Sequence, residues 1–408
     1  MNKQKRTCKF LLLCLISLPD CVLADYAPKG IRLSAFEIRP TLEIGSDWNS
    51  NIYNRPTNAQ NDFITHVKPA VSVYSNWNRH FFGFDVISDI QNYVSHPHED
   101  RQIVNVRLNG KLDVARNSFA YTKFSYLNAP EQRGAPDSLV NAVAPTGSQT
   151  VSGEVGYDYS KYRINLHVDN ITSHMMFANG ITGAGTFIPN AQNRNRLGNI
   201  STIRAGYQIT PGYEAFIQGS YNFINYDYYN QQGHLRSSTG YSVVSGIALK
   251  FTGKLTGNAR IGYQGSNYTD SYYHGVSGMA GGVSMNWTPT GLTSVTGNIT
   301  QTINQTTQVG YSAYFSTAFT AMVQHELLRN VILNLNLGYI MNNYQSGTIP
   351  SSQQRTDNNY MAGFNAKYLI NRYFFLRSGV NYTNRTVTNV ANVNYQASDI
   401  YFAVGSQY

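Results

Sequence analysis

One short segment gathers residue types that could bind a metal ion. It reads His96-Pro97-His98-Glu99-Asp100. Two imidazoles two residues apart, followed by two carboxylates, supply the nitrogen and oxygen ligands that zinc or copper accept. A proline beside charged residues is also ordinary composition for a solvent-exposed loop. We interpret the segment as a loop between two strands and predict neither a metal ion nor another cofactor for this chain.

A second candidate for chemistry is the pair His167 and Asp169, which lie two residues apart in a stretch of alternating polarity. In a strand, this spacing places both side chains on one face and within reach of each other. A catalytic triad is recognised by geometry rather than by sequence order, but no nucleophile accompanies this pair in a recognisable motif. We therefore predict a polar pair on a β-sheet and no catalytic residues.

The composition favours a β-structure that holds these residues. Charged residues make up 13% of the 408, about half the usual share of a soluble domain. The 31 Tyr and 19 Phe exclude a disordered chain, and no apolar run after the N-terminal segment is long enough for a membrane helix. Apolar residues alternate with polar ones along much of the chain, for example at Tyr162, Ile164, Leu166 and Val168. This alternation predicts strands with one apolar face.

Eighteen such segments follow one another, and sixteen strands remain an alternative because boundaries from alternation are uncertain. Most are longer than strands of soluble proteins, and short turns alternate with long connectors rich in Asn, Gln, Gly, Ser and Pro. The predicted strands are 36–45, 63–75, 80–92, 102–114, 118–127, 149–160, 162–172, 196–209, 213–225, 239–251, 254–266, 277–288, 291–303, 309–324, 330–342, 358–370, 373–384 and 395–408. The segment 323–328 is a possible single helical turn.

This arrangement predicts a transmembrane antiparallel β-barrel over residues 36–408. A bilayer offers no hydrogen-bond partners, so a sheet that spans it must close on itself, with an apolar face towards lipid and a polar face towards the lumen. A soluble β-sandwich is the alternative, but it would use shorter strands and would seldom alternate short with long connectors.

The N-terminus has the features of a secretory signal peptide. Four cations precede a short apolar core, and Val22-Leu23-Ala24 fits a cleavage site, so we predict a signal peptide over 1–24 and a short periplasmic segment over 25–35. A lipoprotein signal with Cys21 is the alternative. The segment carries four positive charges and one negative, leaving +6 of the formal +9 for the remainder. That charge is too dilute for a nucleic-acid surface.

The last strand carries a candidate assembly signal. Ile400, Phe402, Val404 and Tyr408 lie on one face, and the chain stops at the aromatic Tyr408. This pattern resembles the C-terminal signal of bacterial outer-membrane barrels, which implies the barrel-assembly machinery as a partner, besides outer-membrane lipid and lipopolysaccharide.

Charges on the polar faces are the candidate contacts for a solute. A charge facing lipid costs about 2–4 kcal/mol for Arg or Lys at the midplane, so strand parity should direct these side chains inward. Ten cations against eight anions on these faces predict a weak preference for anions. The leading lumen-lining candidates are Arg39, Lys68, Arg107, Lys111, Arg163, Arg204, Arg260, Arg377, Asp113 and Asp169.

Six stretches of the chain carry a family resemblance. They are Asn61-Asp-Phe-Ile-Thr-His-Val-Lys-Pro-Ala-Val-Ser-Val73, Asn78-Arg-His80, Gln132-Arg-Gly-Ala-Pro-Asp137, Asn286-Trp-Thr-Pro-Thr-Gly-Leu-Thr293, His325-Glu-Leu-Leu-Arg-Asn330 and Tyr368-Leu-Ile-Asn-Arg-Tyr373. In this order they resemble the putative β-barrel porin type 2 family of Gram-negative outer membranes. Some members resemble barrels encoded with exopolysaccharide export systems.

Together these features predict an outer-membrane, porin-like channel rather than an enzyme. The expected solute is a small polar molecule, with export of an exopolysaccharide as the special case that the resemblance implies. The alternative is a structural or adhesive barrel that binds partners through its long extracellular loops. An outer-membrane hydrolase is a third class, for which the sequence offers no motif.

Overall fold

The computed structural model describes residues 26–138, 142–181, 187–188, 192–347, 354–390 and 393–408. The predicted signal peptide lies outside these ranges. Within them, no helix is long and apolar enough to cross a membrane. Two short 3-10 turns, Pro97–Glu99 and Gln192–Arg194, are the helical elements of the described chain.

The described residues form a β-barrel. The strands are β1 (Ile31–Leu33), β2 (Phe36–Asn49), β3 (Asp62–Ser75), β4 (Phe81–Tyr93), β5 (Arg101–Ala115), β6 (Ser118–Asn128), β7 (Ser148–Lys161), β8 (Ile164–Phe177), β9 (Gly180–Ile181), β10 (Phe187–Ile188), β11 (Arg196–Thr210), β12 (Tyr213–Tyr226), β13 (Ser238–Thr252), β14 (Leu255–Tyr268), β15 (Val276–Thr290), β16 (Thr293–Gln305), β17 (Tyr311–Leu328), β18 (Val331–Ser346), β19 (Thr356–Leu369), β20 (Phe374–Val387) and β21 (Tyr395–Gln407).

Eighteen long strands among these, β2–β8 and β11–β21, pair in chain order to make one antiparallel sheet. The sheet closes where β2 pairs with β21, from Thr41 opposite Gln407 to Asn49 opposite Asp399. β1 folds back on the start of β2, and β9 pairs with β10 in a separate hairpin. The predicted fold class, with eighteen strands, is confirmed.

Alternating polarity places the side chains as the sequence predicts. Leu166 and Val168 on β8 are exposed on the outer wall, whereas His167 and Asp169, which alternate with them, make contacts on the inner wall. An apolar outer face suits lipid, and a polar inner face suits a wet lumen.

The two ends of the barrel differ in their connections. At one end, strands meet through short turns, several of only two residues, and Gly212 and Tyr162 take the left-handed backbone conformation there, with φ of 90° and 55°. Strand irregularities near these turns, such as that between Gln208 and Thr210, are β-bulges of the kind common at barrel rims. The other end carries most of the longer connectors, as is expected of the extracellular end of a transmembrane barrel.

Two local expectations are wrong. Residues 323–328 do not form a helical turn: they continue β17 and pair with β18, where a bulge between Glu326 and Leu328 accommodates the irregular polarity pattern. Arg163 lies in the two-residue turn between β7 and β8 rather than within a strand, because Tyr162 already takes the turn conformation.

Candidate functional site

The inner wall is lined with charges that meet one another across strands. Arg377 lies 3.1 Å from Glu43, Lys123 lies 2.8 Å from Glu154, and each pair joins two different strands. The other predicted lumen residues in ion pairs are Arg39 with Glu37, Lys68 with Asp89, Lys111 with Asp113, Arg204 with Glu214, and Asp169 with His167. Wall charges are therefore largely neutralised in place.

Two of the predicted lumen arginines that lie on strands differ from the other strand arginines in that set. In the described part of the chain, no carboxylate forms an ion pair with Arg107 or Arg260. The Nε atom of Arg107 is buried and has no hydrogen-bond partner among the described residues. β5 and β14 direct these two guanidinium groups to the inner wall, where no described carboxylate neutralises them by an ion pair.

Between the charges, the inner wall is lined with hydroxyl and amide groups. Asn258 donates a hydrogen bond of 2.6 Å to Ser284, and the hydroxyls of Ser125 and Ser152 lie 2.7 Å apart. Such groups can both donate and accept, so they can replace the hydration of an uncharged polar solute.

Each of two histidines on the inner wall lies between two carboxylates. The two ring nitrogens of His167 lie 3.0 Å from Asp158 and 2.9 Å from Asp169. His66 has a similar environment between Asp47 and Asp89. Because both nitrogens of His167 face an acid, neither is positioned to deprotonate a hydroxyl nucleophile. The pair singled out in the sequence is thus part of the wall's ion-pair network.

The histidine segment at 96–100 does not bring its side chains to one point. His96 pairs with Asp62 at 2.8 Å, while the buried Glu99 pairs with Arg133 at 2.5 Å. Asp100 accepts a hydrogen bond from the backbone N–H of Tyr93. Among the described residues, no cluster of three His, Cys, Asp or Glu side chains could hold a metal ion.

The described residues 129–138 and 142–147 of the connector between β6 and β7 lie across the end of the barrel that carries the longer connectors; we call them the mouth loop. Its Arg133 pairs with Glu99 in the connector between β4 and β5, and Arg133 also donates to the backbone carbonyls of Ala142 and Val143. The side chain of Asn54, from the connector between β2 and β3, donates to the carbonyl of Arg133. These contacts hold the loop against two other connectors on one side of the mouth.

The middle of the mouth loop is attached to a distant part of the wall. Arg385 on β20 donates to the backbone carbonyl of Gly134 and pairs with Asp357 on β19 at 2.6 Å. Asp357 is fully buried and also receives two hydrogen bonds from Arg355. Gly134 has a φ of 76°, and an added Cβ would lie 2.8 Å from the ring of Tyr395. Only glycine fits this approach without strain.

The far part of the mouth loop is attached to a third region. The hydroxyl of the buried Thr306, between β16 and β17, donates to Asp137 at 2.8 Å. Arg194 donates to the carbonyl of Asp137 and pairs with Glu131, and Gln308 donates to the carbonyl of Pro136. Segment 132–138 is therefore held between widely separated strands, and it narrows the mouth.

Beside the mouth loop, the extracellular connectors enclose a cavity of about 240 Å³, which we call the outer cavity. Its lining is aromatic and polar. The residues that contribute are Asp137, Ser138, Asn193, Arg194, Tyr226, Tyr228, Asn230, Gln231, Gln232, His234, Arg236, Tyr272, Tyr273, Thr307, Gln308, Val309, Gly310, Tyr311 and Gly347.

The electrostatics of the outer cavity are set by local hydrogen bonds. Hydrogen bonds from the backbone N–H of Tyr272 and from His234 hold the pKa of Asp270 below its usual 3.8. Burial raises the pKa of Tyr273, which therefore stays a neutral phenol.

Sequence reasoning did not identify the mouth loop or the outer cavity as functional. In the sequence, residues 132–137 stand out only through their resemblance to the family. Their Gly-Ala-Pro sequence between Arg133 and Asp137 signals a tight, polar loop, but its partners lie up to 251 residues away in the chain.

The family comparison agrees with this architecture. A family model described as "Putative beta-barrel porin 2" matches residues 24–408. Among curated proteins, no sequence matches the chain. Similar solved structures include the siderophore receptor PiuA from Acinetobacter baumannii, at 9% identity and a TM-score of 0.46, covering 93% of this chain and 82% of that one.

Two further structures show similar likeness. OccAB4 from Acinetobacter baumannii is 10% identical with a TM-score of 0.47, and the match covers 92% of this chain and 99% of that one. The ferric citrate transporter FecA is 11% identical with a TM-score of 0.43, and the match covers 88% of this chain. The chain spans 60% of the length of FecA.

Proposed function

Because the chain belongs to the putative beta-barrel porin 2 family and lies in the outer membrane, we propose that it is a constricted channel for an uncharged polar solute. The specific case is a saccharide chain in export. The family match over residues 24–408 confirms the resemblance inferred from the sequence.

The observation that carries this proposal is the position of the mouth loop. Its segment 132–138 lies between β19–β20 and the connector of β16 and β17, tied by Arg385 and Thr306. An open, nonselective pore would not need a loop held by buried ion pairs across its mouth. A loop in this position makes passing solutes contact protein groups.

The charges of the wall favour an uncharged solute. Pairs such as Arg377 with Glu43 cancel much of each other's field, and salt screens what remains within about 8 Å. Hydroxyl and amide pairs such as Asn258 with Ser284 remain able to exchange hydrogen bonds with sugar hydroxyls.

The test is conductance in planar bilayers together with the permeation of sugars of increasing size into liposomes. We expect discrete steps from the wild type, and larger conductance with a larger size limit for Arg385→Ala. Arg116→Ala, in an exposed turn at the opposite rim, is the matched control and should behave as wild type.

If the wild type neither conducts ions nor lets sugars permeate, the proposal of a channel is overturned and the adhesive alternative is favoured. Wild-type behaviour of Arg385→Ala would overturn the role of the mouth loop. In Arg385→Ala, other contacts can still hold the loop in place. A second variant, in which a short Gly-Ser linker replaces residues 132–142, therefore removes the loop itself and should show the same increase in conductance and size limit.

A further inference from the structure

The outer cavity contains an aromatic stack held in one orientation. The rings of His234 and Tyr272 lie 3.8 Å apart between centroids and are inclined by 13°. Asp270 accepts hydrogen bonds from His234 Nδ1 at 3.0 Å and from the backbone N–H of Tyr272 at 2.9 Å. One carboxylate therefore fixes both members of the stack, so the rings are in place before any ligand arrives.

A second fixed aromatic group lies beside this stack. Tyr273 is buried, its ring lies edge-on to Tyr272 at 5.1 Å, and its hydroxyl accepts a hydrogen bond from Asn230 at 2.9 Å. The guanidinium of Arg236 covers the ring of Tyr273 at 4.5 Å and donates to the carbonyl of Tyr311. Tyr273, Arg236 and Tyr311 thus form a rigid side of the cavity.

Amide side chains supply the polar part of the lining. Gln231 and Gln232 are exposed at the cavity, and Asn193 and Gln308 line it from other connectors. Each amide carries donors and an acceptor, which matches a hydroxyl group that also does both. Amides from separate connectors converge on one cavity that also holds fixed aromatic rings.

The charges of the lining largely have protein partners. Arg194 pairs with Glu131, His234 with Asp270, and Asp137 accepts hydrogen bonds from Thr306 and the backbone N–H of Thr307. Arg236 lies over an aromatic ring. A strongly charged ligand would find few unpaired charges of opposite sign, and a purely apolar ligand would leave the amides without partners.

We propose that the outer cavity is a binding site for a neutral oligosaccharide. The C–H edges of a pyranose ring carry slight positive charge and suit the negative face of an aromatic ring, while its hydroxyls suit the amides. The cavity borders the mouth loop through Asp137, so a sugar bound there lies beside the entrance of the channel. This inference rests on the proposed function, because it names the class of solute that the channel would bind at its mouth.

The experiment is binding of cellohexaose, xylohexaose, mannohexaose and isomaltohexaose to the purified full-length barrel, measured by saturation-transfer NMR and calorimetry. We expect saturable binding of at least one, lost or weakened at least tenfold by Tyr272→Ala and weakened by Gln232→Ala. Tyr272→Phe keeps the stack and should retain binding.

Tyr229→Ala is the matched control, because Tyr229 is an exposed tyrosine in the connector that also carries Gln232 and does not itself line the cavity. Gln232 is exposed, so its replacement tests the site without disturbing the fold. Absence of binding by all four sugars would overturn the inference, as would equal binding by Tyr272→Ala, Gln232→Ala and Tyr229→Ala.

The same preparations separate this inference from the proposed function. If the barrel binds sugar but conducts no ions and passes no sugar, the binding site is supported and the proposed channel function is overturned. Conductance with sugar permeation but no saturable binding would sustain the channel and overturn the site.

Discussion

Arg385 on β20 donates a hydrogen bond to the backbone carbonyl of Gly134, although 251 residues separate them in the chain. The same arginine pairs with the fully buried Asp357, which fixes its position in the wall. The wall therefore determines where the mouth loop lies, and the backbone of one glycine transmits that constraint.

Gly134→Ala should release the mouth loop. The backbone there has a φ of 76°, and the new Cβ would meet the ring of Tyr395 at 2.8 Å. Left-handed backbone in a non-glycine residue costs about 1–3 kcal/mol, and the collision adds to it. We expect trypsin to cleave after Arg133 at least ten times faster, as followed by peptide mapping of the intact barrel.

Gly233→Ala is the control for backbone strain alone. Gly233 has a φ of 79°, but an added Cβ there meets nothing within 4 Å. It should leave cleavage after Arg133 unchanged. Equal rates for Gly134→Ala and wild type would show that Tyr395 moves aside and that this contact does not hold the loop.

The strands could be predicted because their signal is local. Leu166 and Val168 alternate with His167 and Asp169, and the membrane requires one apolar face, so polarity alone assigns each side chain to a wall. The predicted helical turn failed because the bulge near Glu326 breaks the alternation. The mouth loop could not be predicted in this way, since its partners are fixed only once the barrel closes.

The closing strand should be essential for assembly. Phe402 is exposed on the outer face of β21 opposite Ser46, and Tyr408 stacks on Tyr373 with ring centroids 5.8 Å apart. Phe402→Asp places a charge towards lipid, and deletion of Tyr408 removes the terminal aromatic group. We expect both variants to lose most heat-modifiable, membrane-inserted protein, whereas Phe402→Leu should assemble. Wild-type levels in both would refute the assembly signal.

The long connectors should face the outside of the cell. Both ends of the barrel sheet lie at the end with short turns, which in such barrels is periplasmic. A small tag inserted at Asn58, between β2 and β3, should be labelled on intact cells, and one at Pro211, between β11 and β12, should not. Reverse labelling would invert the orientation. The sequence also suggests Gly183 for the first test, although that residue lies outside the described ranges.

Acid should loosen the outer cavity through Asp270. Hydrogen bonds from Tyr272 and His234 lower the pKa of this carboxyl below 3.8, so its stabilising contribution is present above that pH. It is lost as the pH falls through the lowered value. After correction for intrinsic rates, we expect the amides of Leu235 and Tyr272 to lose protection from hydrogen exchange at low pH.

Asp270→Asn removes the titrating group and should lower this protection already at neutral pH. The variant should then show no further loss on acidification. If wild type and variant lost protection in parallel, another group would be responsible.

The lumen should prefer anions weakly, and the structure identifies which cations would cause this. Most wall charges are paired, but in the described chain Arg107 and Arg260 have no carboxylate partner. Their field is screened within about 8 Å at physiological salt, so the preference should be modest and should fade as salt rises. Reversal potentials in a salt gradient measure it, and Arg107→Gln with Arg260→Gln should weaken it. Arg163→Gln is the matched control, because this arginine lies in a rim turn and should contribute little. A cation-selective pore that the double variant leaves unchanged would show that the paired carboxylates, and not the free arginines, set the field of the lumen.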